Sequence, residues 1–209
     1  MTFPTPVLTV QGLTFHYPHC ELFTSMSFHI LPCITLVRGG DGHGKSTLLR
    51  LMAVDVPAQS GELRLQGAAL SEQPQAYQAH VFWADPRTTR FDQVTAQAYF
   101  AGLRPRYPQW DDALLAQLVA GLALEPHGDK PLYMLSTGSR RKVWLAAALA
   151  SGAPLTLLDD PFAALDKPSI LFAIRTLAQL GAHPTRAIVL ATFDAPPGLP
   201  LVGLIELGD

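Results

Sequence analysis

The sequence predicts an α/β core with a helical lobe inserted into it. Three observations point there. Short apolar runs at 34–37, 81–84, 155–158 and 187–191 have the length and character of buried strands. The stretch from Thr95 to about Leu124 carries three- and four-residue apolar spacing instead. The two textures come in the order strands, helices, then a strand–helix–strand unit, which is the order of a sheet interrupted by a helical insertion.

Taken in order, residues 7–10 and 13–17 read as strands broken at Gly12, and 26–30 alternates as a third. The run 34–37 enters Arg38-Gly39-Gly40, a buried strand feeding a glycine-rich loop. A helix is expected from about Lys45, with Leu48, Leu49 and Met52 on its buried side. Residues 61–66 read as a hairpin strand. Asp111 is placed to cap a helix carrying Leu114, Leu115, Leu118, Val119 and Leu122 on one face. Further helices are expected over 139–150 and 169–180. The Pro196-Pro197-Gly198-Leu199-Pro200 segment is a loop before a last short strand.

The chain has 209 residues, enough for one domain with an ample core. With 48% hydrophobic and 15% charged residues it belongs among folded globular chains. A net charge of −2 implies no broad basic field, so nucleic acid is not the expected partner. Cys20 and Cys33 have neither metal-ligand spacing nor scaffold density and read as reduced thiols of a cytosolic protein. Residues 1–10 lack the pattern of a signal peptide, and no apolar run is long enough to span a bilayer.

Gly39-Gly40-Asp41-Gly42-His43-Gly44-Lys45-Ser46-Thr47 matches G-x-x-x-x-G-K-[ST] between an expected strand and an expected helix. Glycines let successive N–H groups turn inward on phosphates, and the helix N-terminus adds a favourable field. Lys45 supplies a point charge to the β- and γ-phosphates of ATP, and the Ser46 hydroxyl a ligand for Mg²⁺. The His43 backbone N–H is expected to serve the loop while its ring faces outward. Asp159 and Asp160 close the strand at 155–158, where an α/β ATPase holds Mg²⁺ and aligns water. Asp159 is the candidate metal ligand and Asp160 the candidate catalytic, water-orienting residue.

Leu135-Ser136-Thr137-Gly138-Ser139 opens a helix, and a serine hydroxyl, a glycine backbone and a helix N-terminus together suit an anion. Set between the phosphate loop and the two acids, it resembles the L-S-G-G-Q signature of the ABC ATPases. The resemblance runs from about Val7 to Asp194. Within the family the chain looks most like the small ATPase subunits of cytochrome c maturation heme exporters. It implies a P-loop NTPase core of ABC type with an antiparallel β lobe and an inserted helical subdomain. The single domain, 1–209, would comprise a core lobe of about 1–87 and 151–209 and a helical signature subdomain of about 88–150. It also implies that Ser136, Thr137 and Gly138 face the γ-phosphate of an ATP held by another subunit. Asp166, in Ala164-Leu165-Asp166, matches the family's D-loop, and Tyr17 the aromatic that stacks on adenine. Homodimer and heterodimer with another ABC ATPase both remain open.

Three positions depart from the family pattern. The catalytic Glu is Asp160, one methylene shorter, and a displacement of about an ångström costs roughly 10²-fold in rate. The switch His is Phe193, which neither donates nor accepts a hydrogen bond there. The Q-loop Gln is Asp85, whose oxygen still suits Mg²⁺ and makes it a third candidate metal ligand. The expectation is an ATP-binding, slowly hydrolysing subunit, peripheral on the inner face of the cell membrane and driving an integral membrane permease. Residues 93–99 would belong to the docking surface. The alternative is a non-transport ABC-type switch or scaffold acting through ATP binding. A small-molecule kinase has no use for the signature or the D-loop.

Overall fold

The computed structural model describes residues 4–208; the first three residues and the last, at the ends of the single expected domain, lie outside the described residues. Two sheets share the strands. β1 (Leu8–Tyr17) pairs antiparallel with β2 (Cys20–Ile30) and with β4 (Ser60–Leu65), and β5 (Ala68–Ala69) completes a four-stranded sheet. The second sheet is parallel and takes β3 (Cys33–Arg38), β6 (Val81–Trp83), β7 (Leu155–Asp159), β8 (Ala187–Ala191) and β9 (Leu201–Glu206). Its order is β6-β7-β8-β3-β9. Residues 7–10 and 13–17 were expected as two strands. They form one, with register shifts around Gly12 and a positive φ there, so the glycine bulges the strand instead of ending it.

Alternation along the parallel strands sorts side chains to two faces. Val37, Leu157, Val189 and Ala191 meet Leu48, Leu49 and Met52 of α1 (Lys45–Met52) and the inner face of the antiparallel sheet. Ile34, Leu36, Leu158, Ile188 and Leu190 meet the other layer. That layer holds α5 (Thr137–Ala150) and α6 (Lys167–Leu180), with α3 (Ala96–Leu103) and α4 (Asp112–Gly121) packed beyond them. A short helix, α2 (Pro74–Ala79), precedes β6 and had no counterpart in the sequence reading.

The helical texture from Thr95 to Leu124 resolves into two helices. Pro105 lies in the 3₁₀ turn and Pro108 in the β-turn between them, where a missing N–H and a fixed φ disfavour continuation. Thr95 caps α3 and Asp111 caps α4, accepting from Leu114 N at 2.8 Å. Leu118 and Leu122 are fully buried, while Leu114, Leu115 and Val119 are partly so. α5 begins two residues earlier than expected because Ser136 caps it, accepting from Ser139 N at 3.1 Å.

The far end of α5 is held by Arg186, at the foot of β8. Its guanidinium donates to Leu149 O (3.0 Å), Ala148 O (2.9 Å) and Thr156 Oγ1 (3.0 Å). Only 6% exposed, it sits on the negative end of the helix dipole, and burial lowers its pKa to about 10. Among the described residues no helix is long and apolar enough to cross a membrane.

Candidate functional site

The loop after β3 turns into α1 at Gly44, whose φ of 89° lies in the left-handed region. A Cβ there would also lie 2.9 Å from Phe23 Cζ. No side chain caps α1 and no acid stands in its first turn, so its leading N–H groups are left to an anion. Lys45 Nζ donates to Gly39 O (2.6 Å) and Gly40 O (2.8 Å), which folds the lysine back over the loop. The His43 ring is turned the other way, with Nδ1–H donating to Gly208 O at 3.1 Å.

The loop opens onto a cavity of about 410 Å³. Asp41, Gly42, Gly44, Lys45, Ser46 and Thr47 form its floor. Tyr17 forms one wall, its hydroxyl 3.4 Å from Thr47 Oγ1 and its ring packed edge-on to Phe15 at 5.0 Å. Asp159 and Asp160 enter from the end of β7, and Thr192 and Phe193 from the end of β8. This is the carboxyl edge of the parallel sheet, where α/β folds place their ligands. Gly39 and Gly40 lie beside the cavity and contribute carbonyls to Lys45.

Burial raises the pKa of Asp159; a hydrogen bond from Ser46 opposes that, the nearby Asp160 adds to it, and the positive Arg87 and Arg141 oppose it. A hydroxyl and a carboxylate facing each other are hard oxygen donors. They fit Mg²⁺, which takes one or two carboxylates and fills its remaining positions with phosphate oxygens and water. Asp160 stands just past the strand with φ 46°, unusual for a non-glycine residue. Its carbonyl accepts from Arg141 Nη1 at 2.7 Å.

Three groups of the expected site residues stand apart from this cavity. Asp85 was the third candidate metal ligand, but its Oδ1 accepts from the backbone N–H of Arg87 at 2.8 Å. That turn leaves Pro86 and Arg87, rather than Asp85, on the lining. Ser136, Thr137 and Gly138 lie at the start of α5, off the cavity, with Ser136 and Thr137 exposed. Gly138 abuts Ala164 so closely that a Cβ would sit 2.3 Å from its carbonyl oxygen. Asp166 caps α6 through Ser169 N (2.9 Å) and pairs with Lys142 Nζ (2.6 Å), which holds its carboxyl far below the usual range.

Sequence reasoning missed Arg87 and Arg141 as cavity residues. Arg141 had a readable signal: it lies three residues after Gly138, on the helical face that Gly138 turns toward the segment after β7. Arg87 had none, because its direction depends on the Asp85 turn.

The profile of the ABC transporter family matches residues 25–163. The cytochrome c biogenesis ATP-binding export protein CcmA of Rhodospirillum rubrum is 36% identical over 156 residues, 71% of this chain. This chain spans 64% of that protein's length. CcmA 2 of Salmonella paratyphi A is 30% identical over 188 residues, covering 86% of this chain and 88% of that protein. Among solved structures, an ATP-binding subunit of an ABC transporter superposes with a TM-score of 0.78 over 90% of this chain and 79% of its own, at 20% identity, a likeness of fold. Over half of the chain lies inside the family profile, so it belongs to the ABC transporter family as an ATP-binding subunit.

Proposed function

We propose that the chain binds ATP·Mg²⁺ in this cavity, dimerises around it and hydrolyses it slowly to drive a separate integral membrane subunit. One observation carries the reading. The uncapped N-terminus of α1, Lys45, and the Ser46–Asp159 pair converge on one cavity at the carboxyl edge of the sheet. Backbone N–H groups and Lys45 would hold the phosphates; Ser46 and Asp159 would hold the metal, which draws charge off the terminal phosphate. Tyr17 supports an adenine position, since its ring faces the cavity beside the loop. The signature turn lies outside its own chain's cavity, which supports a second ATPase copy that brings its own turn over the phosphates.

Slow turnover is supported by the wall opposite Lys45. Asp160 has a short carboxylate on a strained backbone, and the Phe193 ring, 64% exposed, offers no hydrogen bond. A phosphate-release assay on the purified chain should give well under one turnover per second. Asp160→Glu with Phe193→His should raise it by about 10²-fold. Turnover of several per second by the unmodified chain, or no gain from the double variant, would refute the slow-site reading.

The helical lobe of about 88–150 would be the docking side, placing the chain peripherally on the inner face of the membrane. The relatives named for export in cytochrome c biogenesis support heme export as the process served. Co-purification of a membrane subunit from native membranes tests both; recovery of the chain free of any membrane protein would count against them.

A further inference from the structure

We infer that Arg87 is a terminal-phosphate contact, the group by which this cavity tells ATP from ADP; the inference rests on the nucleotide reading of the same cavity. Two cationic side chains on the lining already have partners within the chain, from which a bound phosphate would have to draw Lys45. Lys45 Nζ lies against Gly39 O and Gly40 O, and Arg141 Nη1 bonds Asp160 O at 2.7 Å. The wall from β8 presents Phe193, a ring without a donor.

Arg87 differs from all of these. Its backbone N–H is fixed to Asp85 Oδ1 at 2.8 Å, and this turn sets the side chain on the cavity beside Asp159 and Asp160. Among the described residues its guanidinium has no ion pair and no hydrogen bond. Its charge nevertheless reaches Asp159 at the end of β7, where it opposes the rise in pKa that burial causes. A planar guanidinium with free donors matches phosphate oxygens in pairs. In the nucleotide reading Asp159 holds the metal at the terminal phosphate, and Arg87 lines the cavity within reach of that carboxylate's charge, so the terminal phosphate is the one assigned to it.

The test measures ATP and ADP binding, each with Mg²⁺, by titration calorimetry on the full chain. In Arg87→Ala, ATP affinity should fall about tenfold while ADP affinity stays within about twofold. Arg87→Lys should recover part of the ATP affinity, because it keeps the charge and loses the paired geometry. ADP binding doubles as a check that the variants fold. Unchanged ATP affinity in Arg87→Ala, or equal losses for ATP and ADP, overturns the Arg87 assignment alone. If the unmodified chain bound neither nucleotide, the nucleotide reading itself would fall.

Discussion

Asp159 ends β7 between Leu158 and the bend at Asp160, opposite Ala191 of β8, and burial raises its pKa above the ordinary value of 3.8. The sign for stability follows. The folded chain holds that proton more tightly than the unfolded chain, so this group's contribution is complete below the ordinary value. It is lost as pH rises through the raised one. At neutral pH the ionised carboxylate is a local burden, which the metal role proposed for it would offset. Asp159→Asn should therefore melt at a higher temperature than the unmodified chain at pH 7, with the gap closing near pH 4. Adding Mg²⁺ and ATP should reverse the order. Thermal melts followed by circular dichroism at the two pH values check this; equal melting at pH 7 would show that Ser46, Arg87 and Arg141 already cancel the burial. At this scale the loop and the two acids were legible because each is a run of neighbouring residues. The Asp85 side chain was not, since whether an aspartate faces a metal or bonds the N–H two residues on is settled by backbone angles.

The elements were legible where one periodicity ran unbroken. α5 and the parallel strands came from apolar runs, and the caps Asp111 and Ser136 bound the helices they begin. β1 was misread at Gly12 because a bulge and a strand end share the same residue signal. α2, six residues with only Tyr77 buried, is too short to show a period. The clearest element-scale dependence is that of α5 on Arg186. Phe91, Tyr99 and Trp144 pack edge to face at 4.7–6.1 Å within the lobe, and among the described residues Arg186 alone joins the last carbonyls of α5 to the sheet. Arg186→Leu should remove three buried hydrogen bonds and lower stability by about 3 kcal/mol. Urea denaturation measures it; a loss below about 1 kcal/mol would mean that water replaces the guanidinium.

For the whole molecule, the arrangement of the site parts bears on the dimer proposed above. The phosphate cavity and the signature turn are both present in one chain yet do not meet in it, and no spacing in a sequence discloses that separation. Two chains in head-to-tail contact would bring each turn to the other's cavity. ATP should therefore shift the chain, with hydrolysis blocked by chelating the metal, from monomer to dimer in light scattering. Gly138→Ala should abolish the shift, because its methyl group displaces Ala164 and with it the segment leading to Asp166. Dimerisation of that variant at unchanged ATP concentration would remove the turn from the interface.

The unequal fastening of α5 gives the molecule a fulcrum and a latch. At one end Arg186 is buried and not readily released. Toward the other, the ties are Arg140–Asp92 at 3.1 Å, the partly exposed Lys142–Asp166 pair and the Arg141–Asp160 O contact. Fourteen residues of helix make an arm of about 21 Å. A tilt of about 10° about the buried end carries the Ser136 tip through about 4 Å, more than enough to break or make a hydrogen bond. In the function proposed above, binding energy at the phosphates would act on this less buried end, and the arm would pass the motion on along its length.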